Sequence, residues 1–209
     1  MNRADLKAAA KSAIQGKIGI LFVITLIIGL ITFGASFILS MIPFVGSIAS
    51  LFVSAAFTLS IIKVYLTVAN GGKPSAGDSF SGFDDMWSAF KVTFFVGLFT
   101  FLWSLLFVIP GIVKSYSYSM SMYVLAENKG KPALECIEES KKMTQGHKME
   151  LFVLGLSFIG WLFLVGLTFG IAGIWVYPYM QTTYANAYKA LKPVSLDAPV
   201  ATASGETLL

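Results

Sequence analysis

Charged side chains are scarce in this 209-residue chain: they make up 12% of it, against 56% hydrophobic residues. Too few polar groups are present to coat a soluble globule of this size, which excludes an ordinary soluble domain. Cys136 is the single cysteine and His147 the single histidine, so an internal disulfide and a histidine-rich metal centre are also excluded. No nucleophile and base lie at a diagnostic spacing, and we expect no enzymatic activity, no cofactor and no bound metal.

Six long apolar runs are what the sequence has instead. A bilayer-spanning helix needs about 20 residues, and the runs lie near Ile18–Ile42, Val45–Ala69, Val92–Ile109, Gly111–Ala126, Met149–Leu167 and Gly170–Lys189. The first run is too long for the apolar region of a cleavable signal peptide and is expected to be a retained span. We therefore predict an all-α fold, a polytopic membrane helix bundle with six transmembrane helices. Residues 1–192 form its single membrane domain and residues 193–209 a flexible C-terminal tail.

Basic residues occur in only some of the connections between these runs. They precede the first run, flank the connection from the second to the third, fill residues 129–148 and follow the sixth run, whereas the turns at 41–47, 110–111 and 168–173 contain none. The positive-inside rule then places both termini and the long connections in the cytoplasm of a multi-pass protein of the cytoplasmic (plasma) membrane. The net charge of +4 lies beside the spans, where anionic lipid head groups attract it. We expect membrane lipids, including anionic head groups, as partners, and no nucleic acid.

An internal repeat of short amphipathic segment, span, outside turn and span occurs three times, which predicts three tandem helical hairpins. The amphipathic segments, Ala4–Gln15, Phe83–Lys91 and Pro132–Gln145, are predicted as cytoplasmic helices. Gln15-Gly16-Lys17 recurs as Gln145-Gly146-His147, and one small-residue face recurs 68 residues later: Thr25, Gly29, Thr32 and Ser36 match Thr93, Gly97, Thr100 and Ser104. Such faces let helix backbones approach closely, so we predict packing seams at Gly29 and Gly97, between repeats or between subunits.

The returning spans are more polar than the outgoing ones, and we expect them to line the interior of the bundle. Lys63 and Lys114 lie in apolar surroundings, where an ionisable residue is a functional candidate. Each would bind an anionic ligand such as a phosphate head group if it faced the interior, or snorkel to the nearer interface, which for Lys114 is the outer one. The candidate ligand-binding residues are Lys63, Lys114, Tyr116, Ser119, Tyr123, Tyr177, Gln181, Tyr184 and Tyr188. The alternative is that these hydroxyl groups hydrogen-bond between helices or lie in interfacial belts.

Several stretches resemble the bacterial integral membrane protein family catalogued as domain of unknown function 975 (DUF975). The most specific is Ile109-Pro110-Gly111-Ile112-Val113-Lys114-Ser115-Tyr116-Ser117-Tyr118-Ser119-Met120, joined by Leu102-Trp103-Ser104-Leu105-Leu106, Gly146-His147-Lys148 and Tyr177-Pro178-Tyr179-Met180. The resemblance extends from the start of the chain to about Leu191 and implies a multi-span membrane protein. It implies no particular activity.

These observations favour a non-enzymatic integral membrane protein. We expect it to bind a lipid or a membrane-protein partner, or to form a homo-oligomer, as an accessory of an export, stress or peptide-immunity system. The first alternative is a small transporter or channel with a polar path lined by spans two, four and six. The second is a membrane enzyme.

Overall fold

A computed structural model describes residues 3–40, 45–106 and 108–192, and within these ranges the chain forms ten α-helices and no strand. The helices are α1 (Arg3–Ile14), α2 (Ile18–Ser40), α3 (Val45–Ala69), α4 (Met86–Leu106), α5 (Val108–Tyr118), α6 (Ser121–Glu127), α7 (Ala133–Thr144), α8 (Lys148–Leu156), α9 (Ile159–Leu167) and α10 (Gly173–Leu191). Two 3-10 helices, Ala76–Phe80 and Phe83–Asp85, precede α4. The all-α class is confirmed. The predicted tail, residues 193–209, and residues 41–44 of the first predicted outside turn lie outside the described residues.

Four stretches of the described chain are long and apolar enough to cross a membrane, consistent with a membrane protein. They are Ile18–Ile38, Ala49–Ala69, Ala76–Leu105 and Lys148–Leu167. The second stretch, in α3, buries 56% of its most apolar window, whereas each of the other three buries 17%. Helix α3 is therefore the central helix, and α2, α4 and α8–α9 present apolar residues to the surroundings.

The other two predicted spans are not among these four stretches. Gly111–Ala126 is divided between α5 and α6 at residues 119–120, and Gly170–Lys189 begins with a turn and becomes polar along α10. The predicted amphipathic helix Phe83–Lys91 also does not form separately, because α4 already begins at Met86. Residues 83–91 contain no glycine that could break the helix before the span.

Helices α5 and α6 run antiparallel to α4. The Lys114 ammonium group lies 4.4 Å from the centre of the Trp103 ring, near one end of α4. At the other end, the Asp85 carboxylate accepts a hydrogen bond of 2.7 Å from the Gly130 N–H. Contacts between α2 and α3, and between α9 and α10, show that these two pairs of helices are also antiparallel. In each of these cases, the helix that follows a lysine-rich connection packs against an antiparallel segment that comes next in the chain.

One part of the sequence repeat, the 130-residue correspondence between α1–α2 and α7–α8, is seen in the structure. Gly16 (φ +73°) and Gly146 (φ +84°) each end a helix in the left-handed region that favours glycine. The residue after each glycine donates a 3.0 Å hydrogen bond back to the last residue of that helix. Buried positions recur with the same 130-residue offset: Leu6, Ala10, Ile14, Leu21, Ile24 and Ile28 correspond to Cys136, Ser140, Thr144, Leu151, Leu154 and Phe158. Helices α1–α2 and α7–α8 are therefore equivalent units.

The segment before each outgoing helix packs on the returning helix of the preceding repeat. The 3-10 turns before α4 pack on α3, where the Gly82 N–H donates to Ser60 Oγ at 2.8 Å. Helix α7 packs on α5 and α6, and α1 packs on α10, where Asn186 Nδ2 donates to the Leu6 carbonyl at 3.5 Å. The first and the last helix of the described chain are therefore in contact. The predicted surface helices are thus half-buried structural elements.

The prediction of packing seams at Gly29 and Gly97 is wrong for contacts within this chain. A Cβ atom built at either glycine meets no atom within 4 Å. Other residues of the two faces do meet a neighbouring helix, since Thr25 contacts Tyr65 of α3 and Ser104 lies against Gly111 of α5. The close approaches occur instead at Gly82, whose Cβ would lie 2.7 Å from Ser60 N, and at Gly111, against Ser104.

A pair of glycine substitutions tests this packing. We expect Gly82→Ala to destabilise the protein by about 1–3 kcal/mol, because the added methyl group overlaps the backbone of α3. Gly97→Ala, the matched control in open space, should be neutral or stabilise α4 by up to about 1 kcal/mol. The measurement is thermal unfolding of the purified protein in detergent. Equal stability of the two variants would contradict the packing of the 3-10 turns on α3.

Candidate functional site

Lys114 lies in a pocket of about 240 Å³ between α5 and the α7–α8 junction. Its lining comes from Lys114, Ser117, Glu138, Lys141, Lys142, Gln145 and Lys148. The ammonium group also stands over the face of Trp103, a cation–π contact that fixes its position. Lys114 therefore faces this pocket, and which membrane interface lies nearer to it stays a prediction. Helix α7 folds back along α5 and α6 and brings lysines of the predicted cytoplasmic connection to Lys114.

A buried hydroxyl group holds α7 in this position. Ser140 Oγ accepts a hydrogen bond of 3.2 Å from the Met120 N–H and donates one of 2.8 Å to the Ser117 carbonyl. Thr144 Oγ1 donates to the same carbonyl at 3.3 Å. The break between α5 and α6 leaves these backbone groups without helical partners, and buried groups of that kind must find others. Ser140 supplies them and so places the next residue of α7, Lys141, beside Lys114.

The pocket is strongly positive. It contains four lysines and one carboxylate, and that carboxylate, Glu138, pairs with Lys142 at 3.1 Å. In the described part of the chain, no carboxylate pairs with Lys114, Lys141 or Lys148. Three uncompensated ammonium groups around one cavity attract an anion, and lysine is a common ligand for phosphate.

An apolar groove of about 410 Å³ adjoins the basic pocket. Residues of α5 and α8 line it: Ile109, Ile112, Val113, Tyr116, Lys148, Met149 and Phe152. The Tyr116 and Phe152 rings meet edge to face, 5.7 Å apart, and form its floor. Ile109 is 76% exposed and Met149 69% exposed, so the groove is open to the surroundings. Lys148 lines both cavities and marks the point where a charged end and an apolar end of one ligand would meet.

The remaining tyrosine candidates pack against one another in the core. Tyr123 and Tyr188 are buried and stacked, with ring centres 5.4 Å apart. Tyr177 meets the Tyr65 ring edge to face at 6.2 Å, and Tyr184 lies 6.3 Å from a phenylalanine ring of the α8–α9 junction. Tyr65, Tyr123, Tyr177 and Tyr188 belong to α3, α6 and α10, which correspond to the spans of the alternative polar path. Their arrangement fits hydrogen-bonded and stacked packing between helices.

The other candidates lie apart from the basic pocket. Gln181 is one turn from Tyr177 and interacts with its hydroxyl group. Ser119 Oγ donates to the Tyr116 carbonyl of its own chain segment at 2.8 Å. Lys63 Nζ donates to the Ser81 carbonyl at 2.7 Å and lines a different, polar cavity of about 480 Å³. Of the predicted residues, Lys114 lines the basic pocket and Tyr116 lines the adjoining apolar groove.

Sequence reasoning treated Lys141 and Lys148 only as markers of membrane orientation. A partial signal was present, because Lys141 and Gln145 are four residues apart in the predicted helix Pro132–Gln145. Lys148 follows the helix break at Gly146 and shares no helical face with them. Nothing local in the sequence indicates that Lys114 faces them, since this depends on the contact between α7 and α5.

The reactive side chains of the described chain lie elsewhere. Burial raises the pKa of the Cys136 thiol to about 11, so the group stays protonated at neutral pH. His147 Nδ1 lies 3.1 Å from a carboxylate oxygen of Glu150. Neither residue lines the basic pocket or the apolar groove. Across residues 3–40, 45–106 and 108–192, no three His, Cys, Asp or Glu side chains converge as metal ligands.

Comparison with known proteins gives one match. The profile of a family described as "protein of unknown function (DUF975)" matches residues 1–114 and 106–195, nearly the whole chain. No curated protein and no solved structure matches.

Proposed function

The chain belongs to the DUF975 family, and on that premise we propose that it is a non-enzymatic membrane protein that binds an anionic phospholipid. The binding site is the basic pocket together with the apolar groove, between α5, α7 and α8. The phosphate group occupies the basic pocket, and an acyl chain lies in the groove.

The position of Lys148 is the observation that carries this proposal. A pocket of lysines alone would suit any anion, and an apolar groove alone would suit any lipid chain. Here the basic pocket and the apolar groove adjoin at Lys148, just as the charged head group of a phospholipid adjoins its acyl chain. A lysine near an anionic lipid surface contributes about 1 kcal/mol, and each methylene buried in the groove about 0.8 kcal/mol.

The proposal includes the full topology. We propose that α2, α3, α4 and α8–α9 cross the bilayer and that α5–α6 and α10, each antiparallel to the preceding span, return the chain. This gives six spans arranged as three hairpins, with both termini and the lysine-rich connections in the cytoplasm. In this topology Lys141, Lys142 and Lys148 of the basic pocket belong to a cytoplasmic connection.

Cysteine labelling tests the topology. In a Cys136→Ala background, Phe169→Cys places a thiol in the turn between α9 and α10, and Lys129→Cys places one between α6 and α7. We expect a membrane-impermeant maleimide to label the first variant in intact cells and the second only after the membrane is permeabilised. Labelling of Lys129→Cys in intact cells would contradict the proposed orientation.

Native mass spectrometry with added lipids tests the binding. We expect phosphatidylglycerol to bind, and a Lys114→Gln, Lys148→Gln variant to bind it about thirtyfold more weakly, since each lysine contributes about 1 kcal/mol. Phosphatidylcholine, which has no net charge, should bind weakly to both proteins.

Lys129→Gln serves as the matched control, because Lys129 is exposed and lies outside the pocket. Its affinity for phosphatidylglycerol should equal that of the unmodified protein. If Lys129→Gln weakened binding as much as the double variant, the lipid would be attracted by overall charge, and the assigned site would be wrong.

A further inference from the structure

The basic pocket has a counterpart in the first repeat. With the 130-residue offset, Lys141, Gln145 and Lys148 correspond to Lys11, Gln15 and Ile18. These three counterparts line one cavity of about 350 Å³, whose other wall belongs to α9 and α10. The full lining is Lys11, Ile14, Gln15, Ile18, Trp161, Trp175, Val176 and Tyr179. We call this cavity the aromatic groove.

The aromatic groove has the same place in its repeat as the basic pocket but a different chemistry. Lys11 is its only ammonium group, since Ile18 stands where the other repeat has Lys148. Within the described chain, no carboxylate pairs with Lys11. The opposite wall is aromatic, with the rings of Trp161 and Tyr179 packed edge to face at 6.3 Å.

We infer that the aromatic groove binds a single-chain amphiphile with one negative charge, of the fatty-acid type. One ammonium group matches one carboxylate, and the Gln15 amide offers further hydrogen-bond donors at the same end. The indole and phenol rings provide apolar contact for the chain.

The size of the aromatic groove favours one short chain over two long ones. The aromatic groove, at about 350 Å³, is smaller than the basic pocket and the apolar groove together, at about 240 Å³ and about 410 Å³. The smaller space favours a ligand with one chain over a phospholipid with two, which separates this ligand class from the one proposed for the basic pocket.

Tryptophan quenching provides the test. The chain has four tryptophans, and a Trp87→Phe, Trp103→Phe background leaves only Trp161 and Trp175, both in the aromatic groove. We expect decanoate carrying a terminal bromine to quench their fluorescence to saturation in uncharged detergent. Lys11→Gln should raise the half-saturating concentration about tenfold. Lys141→Gln, its counterpart in the other repeat, should leave that concentration unchanged.

A second variant tests whether binding depends on the shape of the aromatic groove as well as on its charge. Ile18→Phe adds a ring inside the aromatic groove without changing charge and should also weaken quenching, while Lys11 remains in place. Brominated decanol, the neutral control, should reach half-saturation at a concentration at least tenfold higher than decanoate.

The opposite results would overturn the inference. Three results would mean that the aromatic residues form an interfacial belt without a ligand site. Quenching would rise linearly with concentration, brominated decanol would quench as well as the decanoate, or the decanoate would quench Lys11→Gln as well as the unmodified protein. If a brominated two-chain phosphatidylglycerol bound more tightly than the decanoate, the ligand class assigned to the aromatic groove would be wrong. None of these results bears on lipid binding at the basic pocket, which depends on Lys114 and Lys148.

Discussion

The hydrogen bonds of Ser140 are the contact on which the binding site depends. The returning chain of the second repeat is interrupted between α5 and α6, and the freed backbone groups at Ser117 and Met120 are satisfied by Ser140 from α7. In a nonpolar environment an unsatisfied backbone group costs several kcal/mol, so α7 is held along α5–α6. With α7 in this position, Lys141 and Lys148 surround Lys114, and the apolar face of α8 forms a groove with α5.

The same packing recurs at the junction of α1 with α10, although the side chains differ. There the two helices run together along most of α1, and Asn186 supplies a side-chain contact to the α1 backbone. The equivalent cavity has aromatic walls and one lysine instead of four. A repeated backbone arrangement thus forms two cavities that differ in charge and volume. In the second repeat, 3-10 turns replace the helix, and Gly82 allows them to contact α3 directly.

The sequence was sufficient for features that depend on local pattern. Apolar runs predicted the all-α class, and the recurring Gln-Gly step at Gly16 and Gly146 indicated the internal repeat. It was insufficient where neighbours in space decide. The spacing around Gly29 and Gly97 shows a small-residue face but not whether another helix approaches the glycines closely, and within this chain none does. Likewise, Lys114 could be recognised as unusual, but its neighbours depend on a contact between segments more than 20 residues apart.

The most direct measurement is cross-linking of α5 to the α7–α8 junction in native membranes. In a Cys136→Ala background, thiols introduced by Lys114→Cys and Gln145→Cys line one pocket, and a short bismaleimide should join them, as read by mass spectrometry of the digested protein. A control with Lys114→Cys and Lys129→Cys should not cross-link, because Lys129 lies outside that pocket. Failure of the first pair to cross-link, with both thiols shown to react singly, would contradict the placement of α7 beside α5 and with it the lipid site.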